Sequence, residues 1–363
     1  MLPLVLVLVI GVVYGQSNYS APGCQFYYQP VKLIPGTEVN ILLNVQLLSV
    51  LNLNLSIAYD PFYKMATWYC PPTVVNDNNQ RLVVVVHGGT YGHIYNDFPV
   101  TGYSHVETLQ ARGYHVVNLD KLGNGLSDHP PPELVTITTA AYTVHQLITK
   151  IKTGNYLPLN QWIPTKMFYI GHSLGSMTGA YLTAWWPNDV QGFVMTGWAH
   201  APSAGFGLAF PYLIPTQLDP VLAGRNLPLG YLTLREGARN LLFYYLPNAD
   251  ATVINLDELT KETATPGEVA DALTLTWSVA LSQITIPIYE VNGVHDKVVC
   301  PTNILTLQPD CTQLGSITMI EPLLYPLCPD FRLSLMANAG HDLSLHKNRQ
   351  TYYAMVNNWL DSH

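Results

Sequence analysis

The chain has 363 residues, of which 48% are hydrophobic and only 11% are charged. This apolar fraction suits a sizeable buried core, and the length is enough for one large domain or two small ones. The formal net charge is −8 at pH 7 and no cluster of Lys and Arg is present, which excludes a surface built to bind nucleic acid phosphates.

The first residues predict a secreted protein. Residues 1–14 form an apolar run that is too short to span a bilayer comfortably, and Gly15 follows it just before Gln16. A small residue at this place is typical of a signal peptidase site, although the usual basic residues at the start of a signal peptide are absent. We therefore predict a signal peptide over residues 1–15, with an uncleaved anchor as the alternative, and no later membrane span.

Cysteine usage also favours an oxidising environment. The five cysteines stand at positions 24, 70, 300, 311 and 328, and we expect Cys24–Cys70 and one pair among the other three. No C-x-x-C spacing occurs, which argues against zinc, and we predict neither a metal nor a cofactor. Asn18-Tyr19-Ser20 and Asn54-Leu55-Ser56 are N-glycosylation sequons if the chain is secreted.

The first half of the chain reads as strands that alternate with helices. The period-two pattern of residues 39–57 predicts strands at the edge of a sheet, and residues 59–72 read as a connector bounded by prolines. Apolar runs predict buried strands over residues 81–86, 114–119, 167–170 and 190–196. Helical patterns lie over residues 103–112 and 139–152 and begin again at Leu174. This alternation predicts an α/β fold with a mostly parallel central sheet and helices on both faces.

Residues 199–283 break the alternation and are rich in Pro, Leu and aromatic residues. We expect helices over residues 233–246 and 256–273, and we interpret the whole segment as an inserted, largely helical cap rather than a continuation of the core. The core then comprises residues 16–198 and 284–363. Its last part contains predicted strands at 285–291 and 332–336 and a closing helix at 348–360.

The most informative stretch lies at residues 166–186, where an apolar strand runs into Gly171-His172-Ser173-Leu174-Gly175 and then into a helical pattern. Strand, G-x-S-x-G and helix together form the pattern of a nucleophile elbow. The serine at the tip of so sharp a turn has a strained backbone, and Gly171 and Gly175 supply the lack of bulk that the crossing of strand and helix requires. We therefore predict Ser173 as a nucleophile.

A base and an orienting acid follow in the order that this arrangement requires. His341 lies just after the last predicted strand, where its imidazole can accept the proton of the Ser173 hydroxyl. Asp296 lies in the loop after the preceding strand and can fix the imidazole tautomer. Glu290, inside that strand, is the weaker alternative for the acid.

An oxyanion hole needs two backbone donors. We predict the N–H of Leu174, which follows the nucleophile, and the N–H of Gly89, in the His87-Gly88-Gly89 turn after the strand at 81–86. Thr90 is a candidate for a third donor.

Taken together, these motifs resemble the α/β-hydrolase superfamily over residues 60–362 or so. The resemblance includes the turn Asp120-Lys121-Leu122-Gly123-Asn124-Gly125-Leu126-Ser127, which departs from the common D-x-R-G-x-G-x-S form at Leu122. Serine at the elbow argues against epoxide hydrolases and haloalkane dehalogenases, which resemble this fold but have Asp there. The Pro and Gly that follow His-Gly-Gly in proline aminopeptidases are absent, and His172 replaces their second elbow glycine.

The resemblance implies a secreted serine hydrolase that cleaves a hydrophobic carboxylic ester or lactone through an acyl-enzyme on Ser173. Its partner is then a small hydrophobic molecule, with no nucleic acid involved. Two alternatives remain open at this point. One is a binding protein that uses the same fold without catalysis, and the other is a cofactor-free lyase or perhydrolase that uses the same triad.

Overall fold

A computed structural model of the chain describes residues 19–33, 62–159, 161–200, 206–274, 279–300, 311 and 317–363. The predicted signal peptide, both sequon asparagines and the strands expected over 39–57 lie outside these residues. Among the helices in the described ranges, none combines the length and the hydropathy needed to cross a membrane.

The strands of the described residues form one large and one small sheet. In chain order they are β1 Gln25–Val31, β2 Tyr63–Cys70, β3 Arg81–Val86, β4 His115–Leu119, β5 Lys166–His172, β6 Gly192–Thr196, β7 Leu213–Pro215, β8 Leu232–Leu234, β9 Ile288–Gly293 and β10 Phe331–Met336. Eight of them form the central sheet in the order β1-β2-β4-β3-β5-β6-β9-β10, while β7 and β8 pair separately. From β4 to β10 neighbouring strands of the central sheet are parallel, whereas β1 and β2 are antiparallel additions at one edge. This arrangement confirms the predicted α/β class with a mostly parallel sheet.

Helices cover both faces of the central sheet. The α-helices of the described residues are α1 His105–Ala111, α2 Ile137–Lys152, α3 Leu174–Trp185, α4 Ala238–Phe243, α5 Ala251–Leu259, α6 Pro266–Thr274, α7 Ile317–Leu324 and α8 Arg349–Ser362. Side chains alternate along a strand, so Leu82 and Val84 of β3 enter one apolar cluster with α2 and α3. Val83 and Val85 enter a second cluster with α1 and α8. The central strand is therefore buried on both sides, as its continuous apolar sequence predicts.

Two expectations about local structure are wrong. Residues 63–70 form β2 rather than a connector, and they pair with β1 over residues 25–31 and with β4 over residues 116–119. The prolines that suggested a connector lie outside the strand, at positions 61, 71 and 72.

The helices expected between 233 and 273 are also shorter than predicted. Residues 232–234 belong to β8, and a non-helical stretch separates α5 from α6. In this stretch the carbonyl of Ala264 accepts a hydrogen bond from Leu232 N–H (2.9 Å), and the N–H of Ala264 donates to the Leu232 carbonyl (2.7 Å). Pairing between distant segments therefore replaces the helix that local propensity favours. The boundaries 199 and 283 of the expected cap stay a prediction.

Two disulfides link residues of the described chain, Cys24–Cys70 and Cys300–Cys311, and Cys328 is a free thiol. The expected first pair is confirmed, as is one pair among the last three cysteines. Cys24–Cys70 ties the segment before β1 to the end of β2, so it secures the antiparallel edge of the sheet.

Removal of Cys24–Cys70 is expected to cost more stability than removal of Cys300–Cys311. The first bridge closes a loop of 46 residues and the second a loop of 11, which corresponds to about 4 and about 3 kcal/mol in the chain-entropy description. Urea unfolding of the two double Cys→Ala variants checks this order, and a larger loss for the Cys300–Cys311 variant would contradict it.

Candidate functional site

The Ser173 turn joins the end of β5 directly to the start of α3. Its backbone angles are φ 53° and ψ −118°, a strained conformation for a residue with a side chain. A Cβ on Gly171 would lie 2.6 Å from the backbone nitrogen of Ser176, and one on Gly175 would lie 2.6 Å from the carbonyl oxygen of His87. Both contacts involve rigid backbone, so each position accepts only glycine.

Backbone hydrogen bonds hold the strained turn in place. Ser173 N–H donates to the carbonyl of Thr196 at the end of β6 (2.8 Å), and Ser176 N–H donates to the Ser173 carbonyl (2.8 Å). The Ser176 hydroxyl also donates to the Thr196 carbonyl (2.9 Å). The turn is thus fixed to the neighbouring strand on the same edge of the sheet.

His341 and Asp296 form a buried, directly bonded pair. His341 Nδ1 lies 2.8 Å from Asp296 Oδ2. The other carboxylate oxygen of Asp296 accepts the N–H groups of Val298 (2.8 Å) and Val299 (3.0 Å). The carboxylate can only accept from Nδ1–H, so the neutral imidazole leaves Nε2 free to accept a proton. The alternative acid, Glu290, instead accepts a hydrogen bond from Asn292 (2.7 Å).

The charge environment favours a basic imidazole. Burial lowers the pKa of His341, but the charge and hydrogen bond of Asp296 outweigh burial, and the net pKa is raised above 6.5. This is the direction expected of a base that is stabilised in its protonated form during a reaction.

Ser173 and His341 contribute to the wall of one cavity, together with Gly89 and Leu174. The other described residues that line it are Thr90, Ala209, Phe210, Leu213, Leu234, Phe243, Ala264, Val269 and Val298. No hydrogen bond between the side chains of Ser173 and His341 occurs in this arrangement of the described residues. Such bonds are often long in unliganded enzymes and shorten when substrate binds. Apart from the serine hydroxyl, the imidazole, the Thr90 side chain and exposed backbone, the residues that line the cavity are apolar.

Gly89 and Leu174, the residues predicted to donate to an oxyanion, both line the cavity with Ser173. Leu174 is the first residue of α3, where helix N–H groups have no partner within the helix. Gly89 follows β3, and a Cβ built on it would lie 2.7 Å from the Leu174 side chain, so the two residues are in close contact. The N–H of Thr90 is already occupied, because it donates to the Thr263 carbonyl (3.0 Å). The occupied N–H of Thr90 rules out a third donor, and the pair Gly89 and Leu174 stays a prediction.

His87 helps to hold the His-Gly-Gly turn that carries Gly89. Its Nε2 accepts the N–H of Lys121 (3.0 Å), and its Nδ1 lies 2.8 Å from the Gly88 carbonyl. Burial, together with the charge of Lys121, lowers the pKa of His87 to about 3. The His87 imidazole is therefore neutral near neutral pH, and it links the His-Gly-Gly turn to the loop after β4.

A buried polar cluster, unforeseen in the sequence, lies beside the cavity. It consists of His172, next to the nucleophile, Asp342, next to His341, and Tyr91, Asp257 and Arg239. The Tyr91 hydroxyl lies 2.5 Å from Asp342 Oδ2 and 3.3 Å from Asp257 Oδ2. The only sign of this cluster in the sequence is that His172, Asp342 and Tyr91 each lie within two residues of a predicted site residue.

Within this cluster His172 and Asp342 are uncharged near neutral pH. Burial and the neighbouring His341 keep the pKa of His172 well below 6.5. Burial and Asp257 raise the pKa of Asp342 to about 8. The two side chains lie 3.4 Å apart, and His172 stacks on Tyr95 with ring centroids 4.2 Å apart. A neutral His172 avoids placing a second positive charge beside His341.

His346 and His363, two further histidines late in the chain, are not among the residues that line the cavity. His346 Nε2 accepts the N–H groups of Gly340 (3.1 Å) and Tyr245 (2.9 Å), so it anchors the loop that carries His341. His363 lies by Asp330. Over the described ranges, no group of three or more His, Cys, Asp and Glu side chains has an arrangement that could hold a metal ion.

Comparison with known proteins relates the chain to hydrolases. A family model described as serine aminopeptidase, S33, matches residues 77–313, which is more than half of the chain. No curated protein sequence matches the chain.

Solved structures with a similar fold include a monoacylglycerol lipase from Paleococcus ferrophilus, with a TM-score of 0.54 and 18% identity over 82% of this chain and 99% of that one. A probable hydrolytic enzyme from Pseudomonas aeruginosa has a TM-score of 0.56 and 14% identity over 95% and 97% of the two chains. A thermophilic esterase from Thermogutta terrifontis has a TM-score of 0.53 and 14% identity over 92% and 98%. At these identities the likeness shows the fold.

Replacement of Asp296 by Asn is expected to lower the pKa of His341, because the carboxylate is what raises it against the effect of burial. Titration of histidine resonances by NMR measures the shift. Asp330→Asn is the control, since Asp330 pairs with His363 instead. An unchanged His341 titration in Asp296→Asn would show that the pair does not set the imidazole basicity.

Gly175→Ala is expected to destabilise the fold by about 3 kcal/mol, the upper part of the usual range for overpacking against rigid neighbours. Gly224→Ala is the matched control, because nothing lies within 4 Å of a Cβ at that position. Thermal and urea unfolding of both variants test the steric account of the turn, which fails if Gly175→Ala is as stable as the control.

Proposed function

The chain belongs to the serine aminopeptidase S33 family of α/β-hydrolases, and from this premise we propose that it hydrolyses a hydrophobic carboxylic ester through an acyl-enzyme on Ser173. The observation that carries the proposal is the apolar cavity that Ser173 and His341 line together, with Asp296 bonded to the imidazole.

The proposed reaction uses the residues that line the cavity. The Ser173 hydroxyl attacks the ester carbonyl carbon while its proton passes to His341 Nε2. The resulting oxyanion accepts hydrogen bonds from the N–H groups of Gly89 and Leu174, and Asp296 stabilises the imidazolium. His341 then gives the proton to the departing alcohol. Water, deprotonated by His341, attacks the acyl-enzyme and releases the acid, and Ser173 regains its proton.

The cavity lining favours an uncharged acyl group. Apart from His341, no described residue that lines the cavity has an ionisable side chain. An aminopeptidase must bind the ammonium group of a peptide N-terminus, and a carboxylate is the usual partner of such a cation. The lining therefore supports an ester or lactone over a peptide, despite the name of the family. The similar fold of a monoacylglycerol lipase and of an esterase agrees with this choice.

We also propose that residues 199–283 form an inserted cap that supplies the acyl-binding wall. Ala209, Phe210, Leu213 and Leu234 come from this segment and line the cavity. Two disulfides are compatible with an oxidising compartment, so we retain secretion after removal of residues 1–15 as part of the proposal.

Ser173→Ala is expected to reduce the turnover of p-nitrophenyl esters at least about 10³-fold, since it removes the nucleophile of the triad. Ser334→Ala is the control, because Ser334 lies on β10 and contacts Tyr289. Its turnover is expected to remain within about twofold of the unsubstituted chain. Circular dichroism establishes that both variants are folded, and substantial esterase activity of Ser173→Ala would refute the proposed nucleophile.

The same assay separates the competing functions. A series of esters of increasing acyl length, several lactones and aminoacyl p-nitroanilides are compared, and we expect activity on medium acyl chains and none on the anilides. Faster cleavage of the anilides would support an aminopeptidase. Absence of any turnover, together with no labelling by a fluorophosphonate, would support a binding protein, whereas labelling without hydrolysis products would point to a lyase or perhydrolase.

A further inference from the structure

We propose that Arg239 is a positioning residue for the oxyanion hole: it fixes the turn that carries Gly89 by bonding to the next residue, Thr90. This inference rests on the proposed function, because it assigns the buried cluster beside the cavity a part in the same reaction.

The arginine reaches the turn from the segment that covers the sheet. Arg239 lies on α4 and its side chain is 1% exposed. One terminal nitrogen, Nη1, donates to both the carbonyl oxygen and the hydroxyl oxygen of Thr90, each at 3.0 Å. A planar guanidinium that spans two acceptors of one residue restrains its position and its orientation.

Thr90 needs such restraint. Its φ is 59°, in the left-handed region that a β-branched residue rarely adopts. Two further bonds hold it, from Thr90 N–H to the Thr263 carbonyl (3.0 Å) and from Glu262 N–H to the Thr90 carbonyl (2.9 Å). Gly89 is bonded directly to Thr90, so a rotation at Thr90 moves the Gly89 N–H relative to Ser173.

The guanidinium is itself held rigidly. Asp257 binds it through two hydrogen bonds, to Nε (3.0 Å) and to Nη2 (2.7 Å). The group also lies 3.9 Å from the centre of the Tyr91 ring, whose hydroxyl bonds to Asp342 next to His341. The oxyanion turn and the histidine loop are therefore joined to one cluster.

Stability alone does not account for an arginine here. A buried ion pair costs desolvation that an apolar pair of similar volume avoids, so such pairs add little net stability. Lys121 and Glu268 form another fully buried pair, at 2.7 Å, and Lys121 Nζ does not bond to the Gly89–Thr90 turn. This second pair provides the comparison that separates positioning from general stabilisation.

The test compares Arg239→Gln, Arg239→Lys and Glu268→Gln, which removes the charge of the second buried pair. Each is assayed with a p-nitrophenyl ester, and kcat is expressed per active site titrated to completion with a fluorophosphonate, so that unfolded protein does not count.

For Arg239→Gln we expect kcat to fall about 30-fold, because a displaced oxyanion donor costs somewhat less than a lost one. KM should change less than about threefold, since the donor acts mainly in the transition state. Arg239→Lys should recover part of the loss, while Glu268→Gln should keep kcat within about twofold despite a similar loss of stability.

Backbone hydrogen exchange of residues 88–92 gives a second readout that does not depend on catalysis. Faster exchange in Arg239→Gln but not in Glu268→Gln supports the proposal. It is overturned if Arg239→Gln keeps the kcat of the unsubstituted chain, or if the two Gln variants lose kcat equally. If Arg239→Gln does not fold, Arg239→Lys decides, and kcat and exchange equal to the unsubstituted chain would overturn the proposal. If the unsubstituted chain hydrolyses no ester, the proposed function fails, and the exchange of residues 88–92 alone decides whether Arg239 holds the turn.

Discussion

The close crossing of α3 over the end of β3 is the constraint on which the site depends. Gly175 lies so near the backbone of Val86 and His87 that no side chain fits between them. This contact brings the start of α3 directly beside the turn after β3, where Gly89, Ser173 and Leu174 line one cavity. The strain at Ser173 is tolerated because its backbone is bonded to the neighbouring strand β6.

A second requirement is that buried charges be balanced or removed. Asp296 raises the pKa of His341. The neighbouring His172 stays neutral because it is buried and because His341 lies next to it. Asp342 is held mostly protonated near neutral pH, and Asp257 is paired with Arg239. The positive charge that a reaction would create on His341 therefore faces Asp296 without a competing cation on His172.

The sequence predicts the parts of this site that local motifs encode. Short patterns encode the elbow, the order Ser173, Asp296 and His341, and the strands that carry these residues. Each pattern is an apolar run that ends in a turn with Gly or a polar residue. The disulfide Cys24–Cys70 was also within reach, since both cysteines precede the parallel strands. Strands β1 and β2 were not predicted, because proline lies inside β1 and prolines at positions 61, 71 and 72 flank β2. The pairing of the two strands with each other, and of β2 with β4, joins segments that local patterns do not relate.

Arg239 shows where such reasoning ends. Its partner Thr90 lies 149 positions away, in a turn whose conformation no local pattern reveals, and nothing around position 239 distinguishes this arginine from a surface residue on a helix. Burial gives this arginine a different role, because a fully desolvated guanidinium must satisfy its donors, and among the described residues Asp257 and Thr90 supply the acceptors. The segment that contributes Ala209, Phe210, Leu213 and Leu234 to the cavity thus also contributes Arg239, which bonds to Thr90. Under the proposed function, a change in this segment that altered the lining of the cavity would therefore affect the rate of the chemical step as well as the choice of substrate. Both depend on the position of α4 relative to the Gly89–Thr90 turn.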